Sequence, residues 1–257
     1  MDLEERQERI ARSVRERQRV RAVALSKEFG VSLETIRKDL QDLQEQGRLV
    51  RVHGGAQANP SGQESAYDRR RGVNMDAKTE IARTVAQDLR DGQTVYLDYG
   101  TSTYAVASEL MASQLNLTVV TNALPIALLL AEHPSIETIL PGGMLRKNEN
   151  SLYGPLAEKA LSELFMDVGF FGCAGIQASA GITNYHPLEV ATSQTALAHC
   201  DTAVVLADAS KIGRRAPHRM AGLEQVDLLV SDQPVGQDLE IALENSDVST
   251  VITERQP

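Results

Sequence analysis

The chain has 257 residues, of which 42% are hydrophobic and 24% are charged, an ordinary composition for one or two globular domains. Its formal charge of −9 argues, for the chain as a whole, against a simple nucleic-acid-binding protein, which is usually basic. The charge is unevenly spread, however, because residues 1–56 contain 12 Lys and Arg against 10 Asp and Glu, and the remainder contains 14 against 25.

Several other classes of protein and site are disfavoured. The two cysteines, Cys173 and Cys200, lie in apolar stretches and lack the Cys and His spacing of a metal centre, so neither a disulfide framework nor a metal site is predicted. No cofactor is expected either. The charged start MDLEERQERI lacks the apolar segment of a signal peptide, and no apolar run approaches 18 residues. We therefore expect a cytoplasmic protein without membrane association.

The first 56 residues follow the pattern helix, short strand, helix, helix, strand. Gly30 is typical of a helix C-terminus and Ser32 of a helix N-terminus, which separates the second and third helices. The third helix carries an apolar stripe at helical spacing, formed by Leu33, Ile36, Leu40 and Leu43. Residues 49–52 alternate like a strand and lead into Gly54-Gly55.

This order of elements matches a helix-turn-helix, whose second helix enters the DNA major groove. With the apolar stripe inward, the exposed face presents side chains suited to base edges and phosphates. The predicted DNA-binding residues, the last two on a strand acting as a wing, are Lys27, Ser32, Thr35, Arg37, Lys38, Gln41, Arg51 and His53. A solvated surface helix and a module that binds another protein remain alternatives. Because a net charge of +2 is weak, useful affinity for DNA should require an oligomer.

Residues 57–75 show no strong periodicity and contain Asn59-Pro60-Ser61-Gly62, so they are predicted to link domains at 1–56 and 76–257. After the linker, helices alternate with apolar strands. Strands are predicted at 94–97, 117–120, 136–140, 168–171, 203–206, 228–230 and 249–252. Continuous β-branched runs between helices indicate a parallel sheet covered on both faces. The fold class is therefore α/β, with a small N-terminal winged helix-turn-helix domain and a larger, mostly parallel-sheet domain.

The loop Asp98-Tyr99-Gly100-Thr101-Ser102-Thr103 joins a predicted strand to a helix. Backbone N–H groups and hydroxyls at a helix N-terminus favour an anion. Thr121-Asn122 and Gly142-Gly143 should lie at the same sheet edge, where open α/β sheets bind ligands, and Arg146 and Lys211 add positive charge. These features favour a phosphorylated small molecule over ordinary turns and helix caps. The absence of GxGxxG and Walker patterns disfavours dinucleotides and nucleoside triphosphates.

Both halves of the chain resemble the DeoR family of bacterial transcriptional regulators. In the first half the resemblance rests on Val31-Ser32-Leu33-Glu34-Thr35-Ile36-Arg37-Lys38-Asp39-Leu40 and His53-Gly54-Gly55-Ala56. In the second half it rests on Asp98-x-Gly100-Thr101-Ser102-Thr103, Val119-Val120-Thr121-Asn122, Gly142-Gly143-x-x-Arg146, Gly172-x-x-Gly175, Glu189 and Asp208-x-Ser210-Lys211. Lys38 stands where the family has a second Arg, which keeps the charge but loses the planar guanidinium. Gln44 replaces a Glu, and Ser102 replaces a Thr and keeps the hydroxyl.

The resemblance implies that the third helix binds operator DNA and that the second domain is similar in fold to ribose-5-phosphate isomerase. It also adds Gly175 and Glu189 to the effector-binding residues. The expected function is a DNA-binding regulator, a repressor of a carbohydrate-metabolism operon that is relieved by a phosphorylated sugar. The expected assembly is a homo-oligomer, either a dimer or a tetramer.

A sugar-phosphate isomerase-like enzyme is the rival function. Isomerisation needs a carboxylate base close to the sugar. The loop Gly172-Cys173-Ala174-Gly175-Ile176 lacks the carboxylates that the isomerases carry at that point. No catalytic residue is therefore predicted.

Overall fold

The computed structural model describes residues 3–17, 19–45, 49–58, 67–147 and 149–253. They form two compact units, Met1–Val73 and Asn74–Pro257, called the N-terminal unit and the C-terminal unit. Residues 59–66 of the segment predicted as a linker lie outside the described residues. The flanking parts of that segment contain the end of a strand, a short helix and the start of another helix.

The N-terminal unit is a three-helix core with a small antiparallel sheet. Its elements are α1 (Leu3–Arg17), β1 (Arg19–Arg21), α2 (Ala22–Phe29), α3 (Leu33–Glu45), β2 (Leu49–Val52), β3 (Gly55–Ala58) and α4 (Tyr67–Arg71). The sheet has the order β1-β3-β2, so the β2–β3 hairpin is the predicted wing and β1 pairs with its second strand.

Helix α3 is held by apolar packing on one side and by a buried ion pair. Ile36, Leu40 and Leu43 are fully buried, which confirms the predicted stripe, and Leu33 is partly buried. Between them Asp39 is also buried, and it accepts hydrogen bonds from Arg6 Nε at 2.7 Å and Arg6 Nη2 at 3.0 Å. This bidentate pair fixes α3 against α1, a contact across 33 residues that the apolar periodicity of α3 did not indicate.

The tip of the wing depends on two adjacent glycines for different reasons. Gly54 has φ +78°, a left-handed conformation that other residues adopt at a cost, and a Cβ there would meet nothing within 4 Å. Gly55 has no such φ, but a Cβ on it would lie 2.0 Å from the Val20 carbonyl oxygen of β1. The close approach of β1 to β3 therefore requires glycine at position 55.

We expect Gly55→Ala to destabilise the N-terminal unit by about 3 kcal/mol, the upper end of the usual cost of overpacking, because β1 must move away from β3. The matched variant Gly54→Ala should cost about 1 kcal/mol, the penalty for a left-handed alanine. Urea unfolding measures both free energies, and amide hydrogen exchange of Val20 and Ala56 reports the β1–β3 pairing. Equal costs, with the pairing intact in both variants, would contradict the steric explanation.

The C-terminal unit alternates helices and strands. Its helices are α5 (Met75–Gln87), α6 (Thr101–Leu110), α7 (Leu124–Leu130), α8 (Pro155–Leu161), α9 (Pro187–Leu197) and α10 (Gln237–Glu244). Its strands are β4 (Thr94–Leu97), β5 (Leu117–Thr121), β6 (Ile136–Ile139), β7 (Met144–Arg146), β8 (Ser151–Tyr153), β9 (Met166–Gly172), β10 (Gly175–Gln177), β11 (Gly181–Asn184), β12 (Cys200–Leu206), β13 (His218–Ala221), β14 (Leu228–Ser231) and β15 (Ser249–Ile252).

The central sheet has seven parallel strands in the order β15-β14-β12-β9-β4-β5-β6, which confirms the predicted parallel sheet and its seven strands. Alternate residues serve opposite faces: Val95 and Leu97 of β4 belong to one buried cluster and Tyr96 to another. Helices cover both faces, as the continuous apolar strands predicted. The β7–β8 hairpin, the small antiparallel sheet β10-β11-β13 and α10 were not predicted.

The chain changes direction in this sheet between β4 and β9. From β4 it continues outward through β5 and β6, and it then returns to the other side of β4 and continues through β9, β12, β14 and β15. A crevice outside the carboxyl ends of the strands forms at such a switch point. None of the described helices is both long enough and apolar enough to cross a membrane.

Candidate functional site

In the N-terminal unit, the α2–α3 turn is closed by the two residues that the sequence indicated. Gly30 ends α2 with φ 66°, in the left-handed conformation of a C-terminal cap. Ser32 Oγ accepts the backbone N–H of Thr35 at 3.0 Å, and the two hydroxyl oxygens lie 2.9 Å apart. The hydroxyls of Ser32 and Thr35 are therefore hydrogen-bonded to each other at the start of α3. A contact from either hydroxyl to DNA must form in addition to this hydrogen bond or replace it.

The remaining predicted DNA-binding residues are exposed. Lys27 lies in the last turn of α2, and Arg37, Lys38 and Gln41 lie on α3 opposite the buried stripe. A cleft of about 330 Å³ between α3 and the wing is lined by Arg37, Arg51, His53, the half-exposed Val23 and other residues. Gln44 Oε1 accepts the backbone N–H of Arg51 at 2.8 Å, which ties the wing to α3. The structure thus brings Arg37, Arg51 and His53 together.

In the C-terminal unit, the predicted anion-binding loop lies at the switch point of the sheet. Gly100, with φ 133°, precedes α6, and Thr101 and Ser102 occupy its first turn with less than a tenth of their surface exposed. Neither of their hydroxyls has a hydrogen-bond partner among the described residues. Thr103 is fully buried, and its hydroxyl donates to the Gly100 carbonyl at 3.1 Å, so it holds the loop in shape. Two hydroxyls at this helix N-terminus are therefore available to an anion.

Asp98, the first residue of this loop, is completely buried. Ser193 Oγ donates to it at 2.9 and 3.0 Å and the Tyr96 hydroxyl at 3.2 Å. Burial raises the pKa of Asp98 to about 7, and the nearby Glu189 carboxylate adds to the rise, although the hydrogen bonds from Ser193 and Tyr96 oppose it. Asp98 therefore fixes the end of β4 against α9, and it changes protonation near neutral pH.

A second group of charged residues follows β12 at the same edge. Asp208 is buried, and its Oδ1 accepts the Ser210 N–H and the Asn74 amide at 2.9 Å each. Burial alone would raise the pKa of Asp208, but Lys211, the Ser210 N–H and the almost buried Lys78 hold it below its ordinary value. Lys211 has no ion-pair partner within 4 Å among the described residues.

The sequence predicted only Lys211 of this group. Lys78 was not predicted because it lies on α5, 130 residues before Asp208 in the sequence and outside the loops that follow the strands. The sequence offered one signal for Lys78. It lies three, four and seven residues before Ile81, Ala82 and Val85, so helical spacing places it on the buried face of α5. Burial raises the pKa of the Cys173 thiol to about 12. The nearby Lys211 lowers this pKa and Asp208 raises it, but both effects are smaller than that of burial.

Thr121 and Asn122 end β5 and are completely buried. Thr121 Oγ1 accepts the Ala123 N–H at 3.1 Å, and the Asn122 amide donates to the Leu152 carbonyl at 3.1 Å. The Asn122 Oδ1 atom is buried without a hydrogen-bond partner among the described residues. Thr121 thus shapes the turn, whereas Asn122 retains an acceptor that a bound ligand can satisfy.

Arg146 and Glu189 form an ion pair instead of two separate groups facing a ligand. Glu189 is completely buried in the first turn of α9, and its two carboxylate oxygens accept hydrogen bonds from Arg146 Nη1 and from Ser151 Oγ. His186 lies farther from it, at 4.0 Å between Nδ1 and Oε2. The pair attaches the β7–β8 hairpin to α9. Ser151, which is also buried, was not predicted.

The three other predicted glycines have different surroundings. Gly142 and Gly143 have φ 77° and 116°, and a Cβ on Gly143 would lie 2.7 Å from the Tyr153 carbonyl oxygen. A Cβ on Gly175 would lie 2.5 Å from the Arg214 carbonyl oxygen. Gly143 and Gly175 therefore allow close packing of the backbone in this unit, a role that needs no ligand.

Two family models match the chain. The DeoR-like helix-turn-helix domain matches residues 6–61, and the DeoR C terminal sensor domain matches residues 73–233. The chain belongs to the DeoR family. As a member of that family it is a DNA-binding transcriptional regulator, with α3 as the second helix of its helix-turn-helix.

Relatives in the DeoR family match over most of their length. The HTH-type transcriptional regulator GlpR of Haloferax volcanii is 33% identical over 96% of this chain and 96% of that protein. The glycerol-3-phosphate regulon repressor of Escherichia coli K12 is also 33% identical, over 82% of this chain and 83% of that protein. Ribose 5-phosphate isomerase A from Methanocaldococcus jannaschii is 15% identical over 54% of this chain and 55% of its own, with a TM-score of 0.40, too low to support any inference about activity.

Proposed function

We propose that this DeoR-family regulator is a repressor whose operator binding is relieved by a phosphorylated sugar or a related phosphorylated metabolite. In this proposal α3 and the wing bind operator DNA as part of a homo-oligomer in the cytoplasm, and the effector binds at the switch-point edge of the C-terminal unit. The name of the Escherichia coli relative, a glycerol-3-phosphate regulon repressor, supports a phosphorylated effector and negative regulation.

One observation carries the effector proposal. The free hydroxyls of Thr101 and Ser102 stand at the N-terminus of α6, in a unit that also places Lys78 and Lys211 at the edge where the strands end. A helix N-terminus, hydroxyl donors and ammonium groups share one preferred guest, a phosphate-sized anion. Two lysines at this edge are notable because the sequence beyond residue 56 has a large excess of acidic residues.

We expect Thr101→Ala and Lys211→Ala to abolish the response to the effector while DNA binding persists. A thermal-shift screen of sugar phosphates, with inorganic phosphate and the unphosphorylated sugars as controls, measures this. At one hundred times its Kd, a bound ligand stabilises the native protein by about 2.7 kcal/mol. Ser108→Ala, on the exposed side of the same α6 helix, and Lys159→Ala, on α8, are matched controls. Equal shifts in wild type and in both site variants would refute the effector site.

We expect Arg37→Ala to weaken specific DNA binding by about 1–3 kcal/mol and to relax the preference at one base pair, because an arginine on the exposed face of α3 can bind guanine bidentately. Fluorescence anisotropy with a duplex enriched from a random pool by the wild-type protein measures the loss. Arg12→Ala, an exposed arginine on α1, is the matched control. A titration curve that Arg37→Ala leaves unchanged would remove Arg37 from the interface.

The enzyme alternative rests on Asp98, a buried carboxyl whose pKa of about 7 suits a general base. Two arrangements oppose catalysis. Both Glu189 oxygens are occupied by Arg146 and Ser151, and the Gly172-Cys173-Ala174-Gly175 loop provides no carboxylate. We therefore infer that the pocket binds without reacting, and interconversion of ribose 5-phosphate and ribulose 5-phosphate above background would overturn that inference.

A further inference from the structure

Basic residues also lie beside the wing, on strand β1 at the edge of the sheet opposite β2. In β1, Val20 is buried and the arginines on either side of it, Arg19 and Arg21, are exposed on the opposite face. Neither arginine side chain has a hydrogen-bond or ion-pair partner among the described residues. A cleft of about 530 Å³ on this side of the wing is lined by Arg19, Arg21, His53 and Gly54 among others.

The wing turn separates this cleft from the one that faces α3. His53 and Gly54 line both clefts, while Arg37 and Arg51 line only the α3 side and Arg19 and Arg21 only the β1 side. Cations therefore flank the wing on both sides. If DNA phosphates lay only on the α3 side of the wing, the guanidinium groups of Arg19 and Arg21 would have no anionic partner.

Arg21 is also a poor choice for the local structure. It occupies the N-cap position of α2, where Ser, Thr, Asp or Asn would bond the free N–H groups, and it makes no side-chain cap. A cation at a helix N-terminus opposes the helix dipole, and the first turn of α2 contains no acidic residue to offset it. A residue that breaks a local rule without structural compensation points to function.

We propose that the β1 surface beside the wing, formed by Arg19 and Arg21, is a second DNA-contact surface that binds backbone phosphates beside the base pairs contacted by α3. Two residues apart on a strand, their Cα atoms are separated by about 6.6 Å, and one DNA strand presents a phosphate about every 3.4 Å along the helix axis. Both guanidinium groups can therefore meet phosphates of one strand. The contacts add affinity and fix the register of the wing without reading sequence.

Salt dependence of DNA binding by the full-length protein tests this surface. The variants are Arg19→Gln, Arg21→Gln and the double variant, with Arg12→Gln as the matched control and Arg37→Ala as the base-contact control. Each is titrated by fluorescence anisotropy against the enriched duplex and against a random-sequence duplex of equal length. Each lost phosphate contact should reduce the slope of log K against log salt by about 0.9 per bound domain, and the affinity at 0.1 M salt by roughly eightfold.

The loss should be the same on both duplexes, whereas Arg37→Ala should lose affinity only for the enriched one. An unchanged slope, a loss confined to the enriched duplex, or an equal loss in Arg12→Gln would each overturn the proposal. Arg21→Ser distinguishes an effect on DNA binding from an effect on folding, because serine removes the charge and can also cap the N-terminus of α2. It should bind DNA as weakly as Arg21→Gln with a Tm no lower than that of the wild type, and a lowered Tm would assign Arg21 a structural role instead.

Discussion

Replacing Asp98 by Asn should make the C-terminal unit more stable than the wild type at pH 8, by an amount of the order of 4 kcal/mol, and equally stable at pH 4. The carboxyl is completely buried at the end of β4, and burial raises its pKa from the ordinary value of 3.8 to about 7. Asparagine has the same shape, keeps an oxygen for Ser193, and never carries a charge. The energetic cost of ionising position 98 inside the protein therefore disappears.

The sign follows from proton linkage. Because the folded state binds the Asp98 proton more tightly than the unfolded state, this group's stabilising contribution is fully present below the unfolded pKa of 3.8. It is lost progressively as the pH rises through about 7, where the folded protein must ionise a buried group. Wild-type stability should consequently fall between pH 4 and pH 8, and the fall should be absent in Asp98→Asn.

Urea unfolding at several pH values measures this difference, and tyrosine fluorescence reports the C-terminal unit because five of the six tyrosines lie between residues 96 and 185. Asp208→Asn is the matched control with the opposite sign. The pKa of Asp208 is lowered, so its contribution is present above 3.8 and is lost only as the pH falls through the folded pKa. That variant should be less stable than the wild type at pH 7 and should keep the wild-type decline from pH 5 to pH 8. A flat wild-type profile over that range would contradict the raised pKa of Asp98.

The fold was predictable where local patterns carry the information. The stripe of α3 and the β-branched runs of the central strands repeat within a few residues, so periodicity alone placed them. The sheet β10-β11-β13 escaped prediction because its strands have three or four residues, begin at Gly175 and Gly181 in two cases, and pair across intervening loops. Short strands with glycine lack a period long enough to recognise.

The location of the candidate site was predictable from the sequence, but the hydrogen-bond partners of its residues were not. Strand-end loops identified Asp98, Thr101 and Lys211, because parallel strands place their carboxyl ends at one edge. The partners of these residues come from distant sequence: Ser193 bonds Asp98 across 95 residues, and Asn74 bonds Asp208 across 134. Such contacts depend on how helices pack onto the sheet, which no local pattern specifies.

We expect Glu189→Ala to destabilise the C-terminal unit by about 3–5 kcal/mol, the cost of breaking a buried ion pair from one side. The carboxylate is completely buried between Arg146 and Ser151, and the substitution removes the charge that pairs with the Arg146 guanidinium, itself only 19% exposed. Arg146→Ala should be comparably costly, because the completely buried Glu189 carboxylate loses its guanidinium donor. Urea unfolding at pH 7 provides both free energies.

A double-mutant cycle then tests whether the two residues act as a pair. The variant lacking both side chains should lose less than the sum of the single losses, because the interaction between the two residues is then lost only once, and additive losses would contradict the pair. Glu189→Gln distinguishes this structural role from the effector-binding role that the sequence suggested. If this variant is less stable but still binds the effector with wild-type affinity at a temperature where it is folded, the role of Glu189 is to hold the β7–β8 hairpin against α9. Loss of effector affinity with stability preserved would return it to the binding site.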